Sequence, residues 1–114
     1  VKNYPLSQAA LARQAADDQK CAARFELFVN GIEIANGYDE LQDADILARR
    51  FQQANEKRVR AGRRSLSNES ALIQAMREGL PPCAGVALGV DRLLMVRTGA
   101  SSIIDVLPFS IETA

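Results

Sequence analysis

Two carboxylates and an amide lie close together in the sequence and form the first group suited to chemistry. Glu33 stands between Ile32 and Ile34, and Asn36 and Glu40 follow it. A carboxylate among apolar neighbours is costly to bury unless it meets a cation, a metal or several donors. Oxygens of this kind bind Mg²⁺ with its waters, or a substrate ammonium group. The spacing fits such a joint site. It also fits a Glu33 on the exposed face of a half-buried sheet, with Glu40 capping a loop.

The second group runs from Gly85 to Arg92. Glycines at 85 and 89 allow a ligand to approach the backbone, and a helix that begins after Gly89 points its free N–H groups at an anion. Arg92 in the first turn adds a planar guanidinium that can bind phosphate or stack on a base. The same pattern fits a glycine kept for close packing and an arginine paired with a surface carboxylate. A P-loop and a Rossmann site are excluded, because neither the Walker lysine nor GxGxxG is present.

A basic stretch follows the first group. Its side chains are Arg49, Arg50, Lys57, Arg58 and Arg60. Such a helix can contact RNA phosphate, but it is also typical of a solvated face, since Asp45 and Glu56 are interspersed.

Composition narrows the chemistry further. The 114 residues carry fourteen basic and fourteen acidic side chains and no histidine. Zero net charge argues against a strongly basic nucleic-acid module or a polybasic membrane binder. Without histidine, serine-protease triads, HExxH zinc sites and imidazole bases are excluded. Carboxylates, arginine, backbone amides and a bound ion remain.

Cysteine usage and hydropathy indicate the compartment. Cys21 and Cys83 are isolated, which predicts neither a zinc site nor a disulfide framework, and Cys83 is expected in the core. No apolar run approaches the roughly 20 residues of a membrane span, and no signal pattern opens the chain. We therefore expect a cytoplasmic protein that does not cross a membrane.

A β-hairpin positions the first group. Residues 24–29 alternate like a strand, and Asn30-Gly31 is a strong signal for a type I′ turn before a return strand over 32–35. A regular two-residue hairpin pairs Val29 with Ile32, Phe28 with Glu33, Leu27 with Ile34 and Glu26 with Ala35. One face is then apolar (Phe25, Leu27, Val29, Ile32 and Ile34) and the other mixed (Arg24, Glu26, Phe28, Glu33 and Ala35).

The remaining elements follow from periodicity and stop signals. We predict an extended segment over 1–5, a loop or helical turn over 7–13, a turn-rich connection over 36–41, a helix from an Asp43 cap to Gly62, a helix from an Asn68 cap to Gly79, a strand over 83–89, a helix from Val90 to near Gly99 and a short strand over 103–109.

Two segments carry a family resemblance. Residues 24–41, RFELFVNGIEIANGYDEL, resemble a segment of class II lysyl-tRNA synthetases, and residues 85–92, GVALGVDR, resemble their motif 3. Tyr4-Pro5 together with residues 8–13 are similar to the strand and loop after motif 2. Together they cover nearly the whole chain in the family's order.

Within that superfamily, the sequence of residues 31–37 and 85–92 most resembles that of the paralogues that attach (R)-β-lysine to elongation factor P. The synthetases proper usually have glycine where Ala35 and Ala87 stand, and a methyl group at 87 would reshape the amino-acid pocket. Tyr38-Asp39 departs from the usual Phe-His or Phe-Ser but leaves the acidic positions intact.

The resemblance implies an α+β fold with an antiparallel sheet flanked by helices, and activation of lysine or (R)-β-lysine by ATP with Mg²⁺. By position, the resemblance assigns ATP binding to Glu33, Ile34, Gly89 and Arg92, of which Glu33 and Arg92 are catalytic. It assigns binding of the amino acid to Asn36, Glu40 and Ala87. It assigns binding of the metal ion to Glu33 and Glu40. The implied acceptor is elongation factor P, and the implied parent is a homodimer.

The resemblance also covers only part of a catalytic domain. It places motif 1 and motif 2 before Val1, so residues 1–114 correspond to the region from the end of motif 2 through motif 3. We expect this chain to be inactive alone. Two alternatives stay open: a lysyl-tRNA synthetase segment that charges tRNA, and a non-catalytic interaction module.

Overall fold

A computed structural model describes residues 1–67 and 70–111. Within these residues, four strands form one antiparallel sheet in the order β1-β2-β3-β4. The strands are β1 Lys2–Pro5, β2 Cys21–Val29, β3 Ile32–Asp39 and β4 Ala84–Leu88. The α-helices are α1 Ala44–Arg60, α2 Ala71–Gly79 and α3 Val90–Thr98, and Leu6–Gln8 and Ile103–Val106 form 3₁₀ turns. The predicted α+β class is confirmed, and the hairpin strand β3 pairs with β4 around Val86.

The hairpin has the predicted turn but a different register beyond it. Asn30 and Gly31 have φ of 50° and 79°, as a type I′ turn requires. Val29 pairs with Ile32 and Phe28 with Glu33 as expected, but Leu27 pairs with Ala35 and Glu26 with Asn36. The predicted pairs Leu27–Ile34 and Glu26–Ala35 are therefore wrong, because Ile34 is the extra residue of a β-bulge.

Strand β3 is longer than expected. It continues to Asp39, where the sequence predicted a turn-rich connection, and it pairs with β2 on one side and β4 on the other. Gly37 lies inside this central strand, where the Phe25 ring occupies the space that a Cβ at 37 would need. Glycine is therefore required here by the close contact between the ring and the backbone, and not by a turn.

Side chains cap the starts of α1 and α2. The Asp43 carboxylate accepts hydrogen bonds from the N–H groups of Asp45 and Ile46, both at 2.9 Å, as predicted. Ser70 caps α2 by accepting from Ile73 N–H at 3.2 Å. The predicted Asn68 cap lies outside the described residues.

The predicted strand over 103–109 is wrong. Ser102 and Asp105 form a capping box that starts a 3₁₀ turn over Ile103–Val106. The apolar run Ile103-Ile104 suggested a strand, but the local side-chain hydrogen bonds favour a turn.

The core lies mainly between α1 and α2. It consists of Leu41, Ala44, Leu47, Ile73 and Met76. The apolar face of the sheet is open by comparison, with Phe25, Leu27, Val86 and Leu88 between 43% and 64% exposed. Cys83 is exposed rather than buried. None of the helices in the described residues is long and apolar enough to cross a membrane.

Candidate functional site

The bulge at Ile34 assembles one polar face of the sheet. Because directly paired residues share a face, Glu33 lies beside Phe28, Asn36 beside Glu26 and Tyr38 beside Arg24. The three-residue step from Glu33 to Asn36 keeps both on one face, which a regular strand would not do. We call this surface the polar face; it comprises Arg24, Glu26, Glu33, Asn36, Tyr38, Glu40, Gly85 and Ala87.

A hydrogen-bonded network occupies the centre of the polar face. Arg24 forms an ion pair with Glu26, and their side chains are only 15% and 11% exposed. The Arg24 guanidinium also donates to the Gln8 carbonyl at 2.6 Å and lies 4.5 Å from the centre of the Tyr4 ring. The Tyr4 hydroxyl donates to Glu26 at 2.6 Å. Desolvation strengthens such charge-assisted contacts and fixes the carboxylate in place.

The pKa of Tyr4 is raised by the carboxylates around it. The hydrogen bond to Glu26 is the largest cause that raises the pKa of Tyr4, followed by burial and by the charge of Glu26. The charge of Glu33 raises the pKa further, while Arg24 lowers it. Glu33 and Glu26 therefore act on the same surroundings.

Asn36 is held from both ends of its amide. Its Oδ1 accepts from Arg24 Nε at 3.4 Å, and its Nδ2 donates to the Tyr38 hydroxyl at 2.9 Å. The amide is thereby oriented within the polar face, where a ligand meets a preset donor and acceptor.

The predicted ATP residues meet at one corner. Gly89 N–H donates to the Ile34 carbonyl at 2.9 Å, and Arg92 Nη1 donates to the Glu33 carbonyl at 2.9 Å. Gly89 is also the N-cap of α3 and provides no side-chain cap. The structure thus brings together Glu33, Ile34, Gly89 and Arg92, with the first turn of a helix beside them.

The predicted amino-acid residues lie further along β3. Ala87 pairs with Asn36 across β3 and β4. The Glu40 carboxylate lies over Gly85, where a Cβ would overlap its Oε1. Gly85 therefore provides the space that Glu40 occupies, and Asn36, Glu40 and Ala87 share the polar face.

Comparison with known proteins supplies the family. The family model for tRNA synthetases class II (D, K and N) matches residues 1–113. The chain belongs to this family. It is 46% identical over all its 114 residues to the elongation factor P–(R)-β-lysine ligase of Pectobacterium atrosepticum, of which it covers 35%. Proteins of the same name from Salmonella paratyphi B and Salmonella heidelberg are 45% identical over the same span and share. The chain spans about a third of the length of these curated relatives.

Glu33 and Glu40 are the two carboxylates predicted to hold the metal ion, and both lie on the polar face, Glu33 within β3 and Glu40 directly after its last residue. Their joint binding of Mg²⁺ stays a prediction. Among the described residues, no group of three or more His, Cys, Asp or Glu is arranged to hold a metal ion.

Glu26 is a second carboxylate near Glu33 on the polar face. It is the diagonal neighbour of Glu33 across β2 and β3, a position typically about 7–8 Å away between Cα atoms. Mg²⁺ is commonly bound by one or two carboxylates together with substrate phosphates and water. The Glu26 oxygens are already bound, Oε1 by Arg24 and Oε2 by the Tyr4 hydroxyl, so Glu26 adds negative charge beside Glu33 rather than a free metal ligand.

Sequence reasoning treated Arg24, Glu26 and Tyr4 only as parts of strands. Their network depends on the pairing of β1 with β2 and on the bulged register. The available signal was the pair of opposite charges at alternate positions of an otherwise apolar strand, since mid-strand charges need partners.

Proposed function

We propose that this chain provides part of the adenylate-forming site of a lysine ligase, which activates (R)-β-lysine or lysine with ATP and transfers it to elongation factor P. One observation carries the proposal: the bulged β3 strand places the Glu33–Arg92 corner and the Asn36–Glu40 region on one continuous surface. The names of the relatives support the ligase and its acceptor.

At the ATP end, positive charge and backbone donors bind the phosphates. Arg92 binds the terminal phosphate, and Gly89 and Ile34 present backbone to the nucleotide. Glu33 and Glu40 would hold Mg²⁺, which neutralises phosphate charge when bound. Arg92 is exposed while its guanidinium is anchored on the Glu33 carbonyl, so it can turn toward a phosphate without leaving this corner.

At the amino-acid end, Asn36 and Glu40 bind the polar groups of the substrate. The Glu40 carboxylate suits an ammonium group, and Gly85 leaves room for it. The Ala87 methyl group narrows the pocket beside Asn36 and selects between α- and β-lysine.

The reaction needs no nucleophile from the protein. A carboxylate oxygen of the amino acid attacks the α-phosphorus, the bond to the β-phosphate oxygen breaks, and pyrophosphate leaves. Positioning and charge neutralisation supply most of the acceleration. Parts of the relatives outside the matched third provide the contacts to the α-phosphate, and the assembled enzyme is a cytoplasmic homodimer.

A second acceptor is favoured by the family model itself, which includes lysyl enzymes that charge tRNA. Transfer of labelled (R)-β-lysine distinguishes the two. With the chain in its full-length protein, ATP and Mg²⁺, we expect label on elongation factor P and none on tRNA. Glu33→Gln abolishes labelling, while Glu78→Gln, the same change on an exposed turn of α2, leaves it intact. Label on tRNA alone would overturn the elongation factor assignment.

A further inference from the structure

Basic side chains cluster at the end of α1 and in the loop that follows it. The residues are Lys57, Arg58, Arg60, Arg63 and Arg64, which we call the basic cluster. In residues 55–67 the one acidic side chain is Glu56, whose carboxylate lies 3.9 Å from Arg60, and that pair is largely exposed. Exposed pairs of this kind contribute little, so the cluster keeps a strong positive field.

The loop that carries Arg63 and Arg64 is fixed against α1. Asn55 is buried, and its amide donates to the Leu66 carbonyl at 2.8 Å and accepts from Leu66 N–H at 2.9 Å. Arg63 N–H donates to the Arg58 carbonyl at 2.9 Å, and Arg58 Nε donates to the Arg64 carbonyl at 3.1 Å. Like charges repel, so an unrestrained loop would spread. The buried amide instead presents the arginines in a preset arrangement.

An apolar groove adjoins the cluster. It has a volume of about 470 Å³ and lies between the segment after β1 and the side of α1. Leu6, Leu11, Leu47, Phe51, Ala54 and Lys57 are among its lining residues. Lys57 belongs to both features and joins them into one surface. Arg50 also lines the groove, and its guanidinium donates hydrogen bonds to the carbonyls of Ala10 at 2.7 Å and Ala12 at 2.9 Å.

We propose that the basic cluster and this groove together form the docking surface for an acidic segment of the acceptor protein, with an apolar side chain entering the groove. The identity of the acceptor rests on the proposed function; the chemistry rests on charge complementarity and on the groove. A protein segment suits the surface better than RNA, because Phe51 is the one aromatic ring in the groove lining, which otherwise lacks the series of rings on which successive bases stack.

The test measures binding of elongation factor P to the full-length protein at low and at physiological salt. Charge reversal in Arg63→Glu/Arg64→Glu weakens binding by about tenfold or more and flattens its salt dependence. The neutral pair Arg63→Gln/Arg64→Gln has a smaller effect. The matched control is Lys20→Glu/Arg97→Glu, which makes the same change in net charge at exposed positions outside the cluster and leaves affinity within about twofold.

Pyrophosphate exchange separates this proposal from the proposed function. We expect the Arg63/Arg64 variants to exchange at the wild-type rate, because they lie outside the ATP and amino-acid region. A wild type without exchange contradicts the proposed function, while the binding measurement still decides the docking surface. Unchanged affinity for elongation factor P in the charge-reversed variant overturns the docking proposal. Weakened binding of tRNA with unchanged binding of the protein also overturns it.

Discussion

Glu33 and Arg92 are coupled through the main chain rather than through their charges. Arg92 donates to the carbonyl of Glu33, so removing the carboxylate charge leaves the anchor of the guanidinium in place. Glu33→Gln therefore reports on the carboxylate with little disturbance of its neighbour. The same reasoning makes Glu33 a better first target than Arg92, whose loss removes an anchor and a phosphate ligand together.

Tyr4 gives a spectroscopic test of the polar network. Its pKa is raised mainly by the hydrogen bond to Glu26, so the neutral phenol is favoured and this contribution to stability is lost only as pH rises through a value above about 10. The chain has two tyrosines and no tryptophan. Titration of tyrosinate absorbance in Tyr38→Phe, where Tyr4 remains, should show a midpoint above that of a model peptide. A midpoint at the peptide value would contradict the network.

Ala87 tests the amino-acid end. In the full-length protein, Ala87→Gly should raise the kcat/KM ratio of lysine to (R)-β-lysine, since one methyl group in a snug pocket is worth about 1–3 kcal/mol. Ala84→Gly is the control, because Ala84 pairs with Asp39 on the opposite face of the same strand. Equal ratios in the wild type and Ala87→Gly would remove Ala87 as a selector.

At the scale of the elements, the sequence predicted locally determined turns and caps better than long-range strand pairing. Asn30-Gly31 predicted its turn because both residues must adopt positive φ there, and Asp43 predicted its cap by the same local logic. The sequence did not predict the bulge at Ile34, because an interpretation by alternating side chains assumes a strict period of two residues along the strand. Residue types and spacing indicated most of the candidate site residues, and the resemblance assigned their roles and added Ile34 and Ala87. The network of Tyr4 with Arg24 depends on strand pairing that the sequence does not display.

Deleting Ile34 tests whether the extra residue of the bulge is needed. Asn36 then becomes the second residue after Glu33, so a regular ladder keeps both on the polar face, but the buried Ile34 side chain and the carbonyl that accepts from Gly89 N–H are lost. We expect the deletion to lower pyrophosphate exchange in the full-length protein, because Gly89 loses this anchor, and to lower stability in urea unfolding. Ile34→Val keeps the extra residue, and at this buried position it should cost about 0.5–1.5 kcal/mol while retaining exchange. Exchange by the deletion variant near the wild-type rate would show that the bulge is dispensable.

At the scale of the whole molecule, the back of the sheet is the least covered surface. Phe25, Leu27, Val86 and Leu88 form an exposed apolar face, and β1 and β4 are the edge strands of the described sheet. Exposed apolar faces and open edges favour association. The 114-residue chain alone should therefore associate as its concentration rises in light scattering, and Leu27→Ser/Val86→Ser should reduce this. A wild-type chain that stays monomeric at high concentration would contradict the expectation.

The central claim is that this chain carries part of an adenylate-forming site and that the remainder of the enzyme completes it. ATP–pyrophosphate exchange with lysine or (R)-β-lysine tests it most directly, on the full-length protein, its Glu33→Gln variant and the 114-residue chain side by side. We predict exchange by the full-length protein, a loss of about 100-fold or more in Glu33→Gln, and none by the chain alone, since preorganised charge at the reacting phosphorus is the main catalytic contribution. Exchange by the chain alone near the full-length rate, or an unchanged rate in Glu33→Gln, would contradict the account.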